Sequence, residues 1–295
     1  MDPVNWGLAL GGGGPVGLAW EIGVLAALAE GEGPGPETSA TIVGTSAGSM
    51  LGAWLRLGRT LPDLEAVILA GAKLPGRPLP LTTDDERRLY AEALRLWARP
   101  ATMTAEQARA VGEVAARVTR PDPERLASFE TEFGTAWPEG GLIVTSCRIH
   151  TGERVGWTAS SGQPLHLAVA ASCTVPGQSP PLEIAGSRHV DGGVWSSTNA
   201  DLLAGCGVDG ALVLSPMAGA MGLGRAQAAR LEAECETLGA LGVETLSVDP
   251  GDAFKSGKID LLDARSAPIA LELGRECGGQ LRGRFSALVG VTNSA

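Results

Sequence analysis

The chain has 295 residues, enough for one large α/β domain or two small ones with a sizeable core. A hydrophobic content of 44% and a mean hydropathy of +0.11 exclude a disordered chain. The formal charge of -10 leaves no surplus of Lys and Arg for nucleic acid or for electrostatic docking on anionic membranes, although it is compatible with transient apolar contact with a lipid surface.

The five cysteines are widely spaced and include no C-x-x-C, which predicts reduced thiols rather than a disulfide framework or a zinc site. Residues 1–5 carry no positive leader region, so a cytoplasmic protein is expected. The uncharged run over residues 38–55 has the length of a membrane span, but its Gly, Ser and Thr make it a poor one.

In chain order, Trp-Gly-Leu-Ala-Leu at 6–10 predicts a first strand running into a glycine-rich loop, Gly11 to Gly17. A helix follows over about 18–30, with Leu18, Ile22, Leu25 and Ala29 on one face, and Gly31, Gly33, Pro34 and Pro36 end it. Thr41, Ile42 and Val43 suit a second, buried strand. It leads into Gly44-Thr45-Ser46-Ala47-Gly48, a G-x-S-x-G pattern. In a nucleophile elbow the serine sits on a strained strand-to-helix turn, and its neighbours must be small for the chain to pass closely. Ser46 Oγ would then stand at the C-terminal edge of a sheet, with its amide at the mouth of a helix over about 49–57.

The glycine loop has three readings. Gly12-x-Gly14-x-x-Gly17 matches the dinucleotide fingerprint, but the strand that should end in a ribose-binding acid ends at Ser46 instead. A P-loop needs a lysine that this loop lacks. The third reading is an oxyanion hole, in which glycine amides point at developing negative charge. Two strand-loop-helix units in tandem bring this loop beside Ser46, and that geometry favours the third reading.

Residues 60–140 are mostly helical, with pieces at about 64–69, 84–97 and 104–118 separated by prolines such as Pro75 and Pro121. They predict a helical insertion, either a lid or a plain packing layer. Strands return at 142–148 and 154–157, a short helix at 164–171, further strands at 210–215 and 243–248, and a C-terminal helix or helix pair from about 264. Between them lies Asp191-Gly192-Gly193 after a strand ending at Val190. It reads either as a carboxylate turned back into a cleft or as an ordinary Asp-Gly turn.

A nucleophilic serine needs a base. The three histidines, His150, His166 and His189, all precede the last hundred or so residues, where an α/β-hydrolase places its base. His189 shares a strand face with Asp191 and stays open as a base. The simpler solution is a Ser-Asp dyad. Gly12-Gly13-Gly14-Pro15-Val16-Gly17, Gly44-Thr45-Ser46-Ala47-Gly48 and Asp191-Gly192-Gly193, in this order and these strand contexts, together resemble the patatin-like phospholipase family. Ala171-Ser172-Cys173-Thr174-Val175-Pro176-Gly177 is similar to the segment that bacterial members carry upstream of the aspartate. The resemblance spans roughly residues 6–205.

The resemblance implies a single domain over 1–295 with a three-layer α/β/α fold, a mostly parallel central sheet and the helical insertion at about 60–140. It implies Ser46 as nucleophile and Asp191 as general base. The amides of Gly12, Gly13 and Gly14 become the oxyanion donors, and Gly17, Gly44, Gly48, Gly192 and Gly193 support the turns. The substrate would be a lipid or other acyl ester, and no metal or cofactor is implied. One departure is Val16, where the family often has Arg or Lys, and it points to neutral or simple esters over anionic phospholipids. Two alternatives are a small-ester carboxylesterase and a non-catalytic ligand-binding module in which Ser46 is structural. Oligomeric state is not legible.

Overall fold

The computed structural model describes residues 4–290 except 32, 72, 78, 79, 100, 220–223, 256–260 and 262; residues 1–3, on which the leader expectation partly rests, lie outside it. β1 (Trp6–Leu10) and β2 (Thr41–Gly44) are short apolar strands buried on both faces, the pattern of parallel pairing, and they run parallel with Leu10 opposite Gly44. Each turns at its C-terminal end into a helix, α1 (Gly14–Ala29) and α2 (Ala47–Arg56). Both helices start earlier than their apolar periodicity predicts. Gly14, at φ 58°, turns the chain so that Pro15 enters the first helical turn, where its missing amide is harmless. In α2 the turn ends at Ser46 itself, so Ala47 is already helical.

The helical insertion comprises α3 (Leu61–Leu69), α4 (Asp84–Ala98), α5 (Ala105–Ala115) and α6 (Pro123–Phe133). Capping boxes, Thr83 with Glu86 and Thr104 with Gln107, set the starts of α4 and α5. The chain continues through β3 (Gly141–Arg148), β4 (Arg154–Trp157), α7 (Leu165–Ser172), β5 (Leu182–Ile184), β6 (Ser187–Asp191) and β7 (Gly210–Leu214). It closes with α8 (Gly224–Ala240), β8 (Glu244–Val248), α9 (Asp252–Lys255) and a single long α10 (Ala267–Leu288).

The strands form one sheet in the order β5-β6-β3-β2-β1-β7-β8, with β4 also on β3. Pairing is parallel from β8 to β3, and β4, β5 and β6 are antiparallel. Strand alternation divides the core. Leu8, Leu10, Ile42, Leu142 and Leu212 pack into one layer with α1, α2, α7 and α10. Ala9, Val43 and Val213 face Leu231 and Leu238 of α8, and Cys147 and Val190 face α4 and α5. The result is a three-layer α/β/α arrangement.

The sheet positions the site through β3. Its Val144 pairs with Gly44 of β2 and with Trp157 of β4. Two residues on, Ser146 pairs with Asp191 of β6 and with Val155 of β4. Because β4 occupies one edge at both points, β2 and β6 share the other edge, end to end. β6 takes over the ladder where β2 leaves it for the Ser46 turn. Asp191 and Ser46, distant in sequence, therefore meet at the same place on the sheet.

Candidate active site

Ser46 sits at φ 53° and ψ -122°, a strained backbone for a residue with a Cβ. Close approach explains Gly48, because a Cβ there would run into the carbonyl oxygen of Leu10. At Gly44 it would come within 2.6 Å of Ser49 Cα. Helix α2 can thus cross directly over the end of β1. The turn is held by Ser49 Oγ, which donates to Ser46 O at 2.6 Å, and by Ser172 Oγ, which accepts the Ser46 amide at 2.8 Å.

Asp191 is buried, with 1% of its surface exposed. Its Oδ1 accepts the Gly193 amide at 2.7 Å, and its own amide donates to Thr174 O at 2.9 Å. Burial pushes its carboxyl up from 3.8 to about 7, against the opposing pull of the Gly193 amide, the Ser46 hydroxyl hydrogen bond and the Arg125 charge. The turn behind it is tight: a Cβ at Gly192 would overlap Thr145 Oγ1, and one at Gly193 would lie 2.9 Å from both Asp191 Oδ1 and the Trp97 ring.

The glycine loop lies against the elbow. A Cβ on Gly12 would be 3.1 Å from Ser46 Cβ, and the Gly48 amide donates to Gly11 O at 3.1 Å. Gly13 and Gly17 pack on each other and on Pro216. The predicted donors differ in availability. The Gly12 amide is engaged, donating to Ser197 O at 2.8 Å. The Gly13 and Gly14 amides, at the start of α1, have no intrahelical acceptor and no other partner among the described residues.

His189 is drawn away from Ser46. Its Nδ1 pairs with Ser146 Oγ at 3.1 Å, its ring meets Trp157 edge-on, and burial lowers its pKa to about 4. His166 Nδ1 pairs with Gly134 O at 2.9 Å, and His150 lies in an exposed turn 3.5 Å from Arg188. Val16 is fully buried in the main core. Among the described residues no group of His, Cys, Asp or Glu gathers to hold a metal.

Several residues at the site have no local sequence signal. Arg125 of α6, 7% exposed, donates to Cys173 O at 2.7 Å and Ala170 O at 3.3 Å, at the carbonyl end of α7. Trp97 of α4 donates its indole N–H to Gly193 O at 2.6 Å, which docks the insertion onto the aspartate turn. Arg230 of α8 donates to Trp97 O and Val194 O, at 2.9 and 3.3 Å. Glu21, wholly buried in α1, accepts the Gly11 amide at 2.6 Å, and burial raises its pKa well above 4.5. Cys173, partly buried beside the site, is no reactive thiol: desolvation, then the Asp191 charge, push it up to about 12.

The sequence profile of the patatin-like phospholipases matches residues 8–204. The chain belongs to the patatin-like phospholipase family. That span holds the glycine loop, the elbow and the aspartate turn of this patatin-like chain, and leaves α8 to α10 beyond it. No curated protein matches the chain. Among solved structures, VipD from Legionella pneumophila is similar in fold at a TM-score of 0.52 and 14% identity, over 97% of this chain and 67% of VipD. The type III effector protein ExoU gives a TM-score of 0.41 and 14% identity, over 96% of this chain and 53% of ExoU. Members of the family are lipid acyl hydrolases.

Proposed function

We propose that this protein is a serine acyl hydrolase that cleaves carboxylic ester bonds of lipids through Ser46 and Asp191. The observation that carries the reading is the pairing of a hydroxyl on a strained turn with a buried carboxylate whose pKa is about 7. An aspartate at its ordinary value near 3.9 is a weak base for an alcohol. Burial brings this one to the range where a base is both ionised and basic enough at neutral pH.

In the reaction, Ser46 Oγ attacks the acyl carbonyl carbon while Asp191 takes the hydroxyl proton. The carbonyl oxygen becomes an oxyanion and is met by the amides of Gly13 and Gly14 at the positive end of α1. The C–O bond to the alcohol breaks, and Asp191 returns the proton to the leaving oxygen. Water then attacks the acyl-serine, giving its proton to Asp191, which passes it to Ser46 as the carboxylic acid leaves. Gly12 serves by shape, since its amide is held by Ser197. Neutral glycerides and aryl esters suit a site with Val16 at the family's basic position, and a clear preference for anionic phospholipid in side-by-side assays would sink that part.

The test is labelling by a fluorophosphonate probe and p-nitrophenyl ester turnover, on wild type, Ser46→Ala and Asp191→Asn. Wild type labels and turns over, and both folded variants are inactive. Turnover retained by Ser46→Ala would rule out Ser46 as the nucleophile, and a folded wild type that neither labels nor hydrolyses any ester would return the chain to a ligand-binding role.

A further inference from the structure

The loop that follows Asp191 closes on Asn199, fully buried at φ 50°, one of only three residues other than glycine with positive φ among the described residues. Asparagine tolerates this conformation better than most, yet a glycine would fit there without strain. The side chain explains its presence. Its Nδ2 donates to Ser196 O at 2.6 Å and Thr45 Oγ1 at 3.0 Å, with Thr145 Oγ1 at 3.3 Å and Gly192 O at 3.4 Å also in reach. Its Oδ1 accepts from Arg154 Nη1 at 3.3 Å. Arg154 is itself fixed by two bonds to Asp201, at 2.6 and 2.7 Å, and by stacking on Trp195. A guanidinium only donates, so the amide oxygen must face it and the NH2 must face the threonines.

Thr45 immediately precedes Ser46, Gly192 immediately follows Asp191, and Thr145 stands between them on β3. The Thr45 and Thr145 hydroxyls also bond each other at 2.8 Å. The loop carrying Asn199 is anchored from α8, where Glu234 Oε2 accepts Thr198 Oγ1 at 2.5 Å and the Ala200 amide at 2.9 Å. Gln227 accepts the Ser197 amide at 3.0 Å, and Ser197 O in turn holds Gly12. The sheet brings β2 and β6 end to end on β3 but provides no direct ladder bond between them. Asn199 closes that gap.

We propose that Asn199 is a positioning residue for the hydrolysis, its amide tying the serine elbow to the aspartate turn and so setting the distance between Ser46 Oγ and the Asp191 carboxylate. This rests on the acyl-hydrolase reading. The residue touches no substrate. It acts on the chemical step, where a displacement of about 1 Å costs roughly a hundredfold in rate.

The experiment uses the full chain and compares wild type with Asn199→Gly, Asn199→Asp, Thr45→Val and the double variant Asn199→Gly/Thr45→Val. Glycine keeps the backbone conformation and removes the amide, whereas aspartate keeps the shape and replaces the donor by an oxygen. Fluorophosphonate titration counts working sites, and p-nitrophenyl ester kinetics give kcat per titrated site and KM. We expect kcat per site to fall about tenfold to a hundredfold in Asn199→Gly and Asn199→Asp, with KM within about twofold. Thr45→Val should fall in the same direction, and the double variant by less than the product of the two. A merely structural role would lower the number of titratable sites and leave kcat per site within about twofold of wild type in Asn199→Gly and Thr45→Val, which overturns the proposal. Should Asn199→Asp fail to fold, those two variants still decide. A folded wild type that neither titrates nor turns over would overturn the hydrolase reading and this inference with it, whereas an active wild type with unaffected variants overturns this inference alone.

Discussion

Asp191→Asn should make the protein more stable at alkaline pH while abolishing turnover. The side chain is wholly buried, and its carboxyl lies at about 7 in the fold against 3.8 in the free residue. Below both values the group is neutral in folded and unfolded chains, and it contributes no pH dependence. Between them the unfolded chain has lost the proton while the folded chain keeps it, so stability falls as pH rises. At about 1.36 kcal/mol per pH unit the full loss is about 4 kcal/mol, complete once the pH exceeds the folded value. Asparagine keeps the acceptor for the Gly193 amide and never ionises. Urea denaturation of both proteins at a series of pH values and fixed ionic strength isolates the residue, because every other group is common to both. The stability advantage of Asp191→Asn should start near zero at about pH 4 and grow steadily to about 4 kcal/mol by about pH 8. An advantage that stays flat over that range, or a variant less stable than wild type at the alkaline end, would refute the burial argument and with it the poised base.

The same ionisation predicts that kcat/KM rises with pH through a midpoint near 7. Arg125→Gln removes the cation that opposes the rise, so the midpoint should move to higher pH, as a pH-rate profile will show; among the described residues the Cys173 thiol also faces Asp191, and it stays neutral. Gly48→Ala drives a methyl group into Leu10 O and to 2.7 Å from Gly11 O, and should cost about 3 kcal/mol or more in denaturant unfolding. Glu21→Gln keeps the acceptor for the Gly11 amide and never ionises, so, because burial raises the Glu21 pKa, it should be more stable than wild type at neutral pH, whereas Glu21→Leu strands that amide and should be about 1–3 kcal/mol less stable than Glu21→Gln, as denaturant unfolding will show.

Local sequence was enough for the parts of this protein whose signals are themselves local. Trp6–Leu10 and Thr41–Gly44 read as buried strands because they are apolar on both faces. The turn at Ser46 read as an elbow because only glycine fits where a helix crosses a neighbouring strand at backbone distance, as at Gly48 over Leu10. Helix α8 was not legible, since its core-facing positions Gln227, Arg230 and Glu234 are polar and hide the apolar stripe. Helix α6 and the three-residue β5 were missed as well, the one behind Pro123 and the other too short to show a period. Whether Asp191-Gly192-Gly193 was a cleft carboxylate or a plain turn lay beyond the sequence, because the answer depends on β6 joining β3 where β2 leaves it. The same holds for the commitment of the Gly12 amide to Ser197, the retreat of His189 to Ser146, and the arrival of Arg125, Trp97 and Asn199 from distant segments. Hydrophobic period and turn chemistry are properties of neighbouring residues, and the sequence by itself determined those. The burial that sets the Asp191 pKa and the hydrogen bonds that join the elbow to the aspartate turn exist only once the layers have packed.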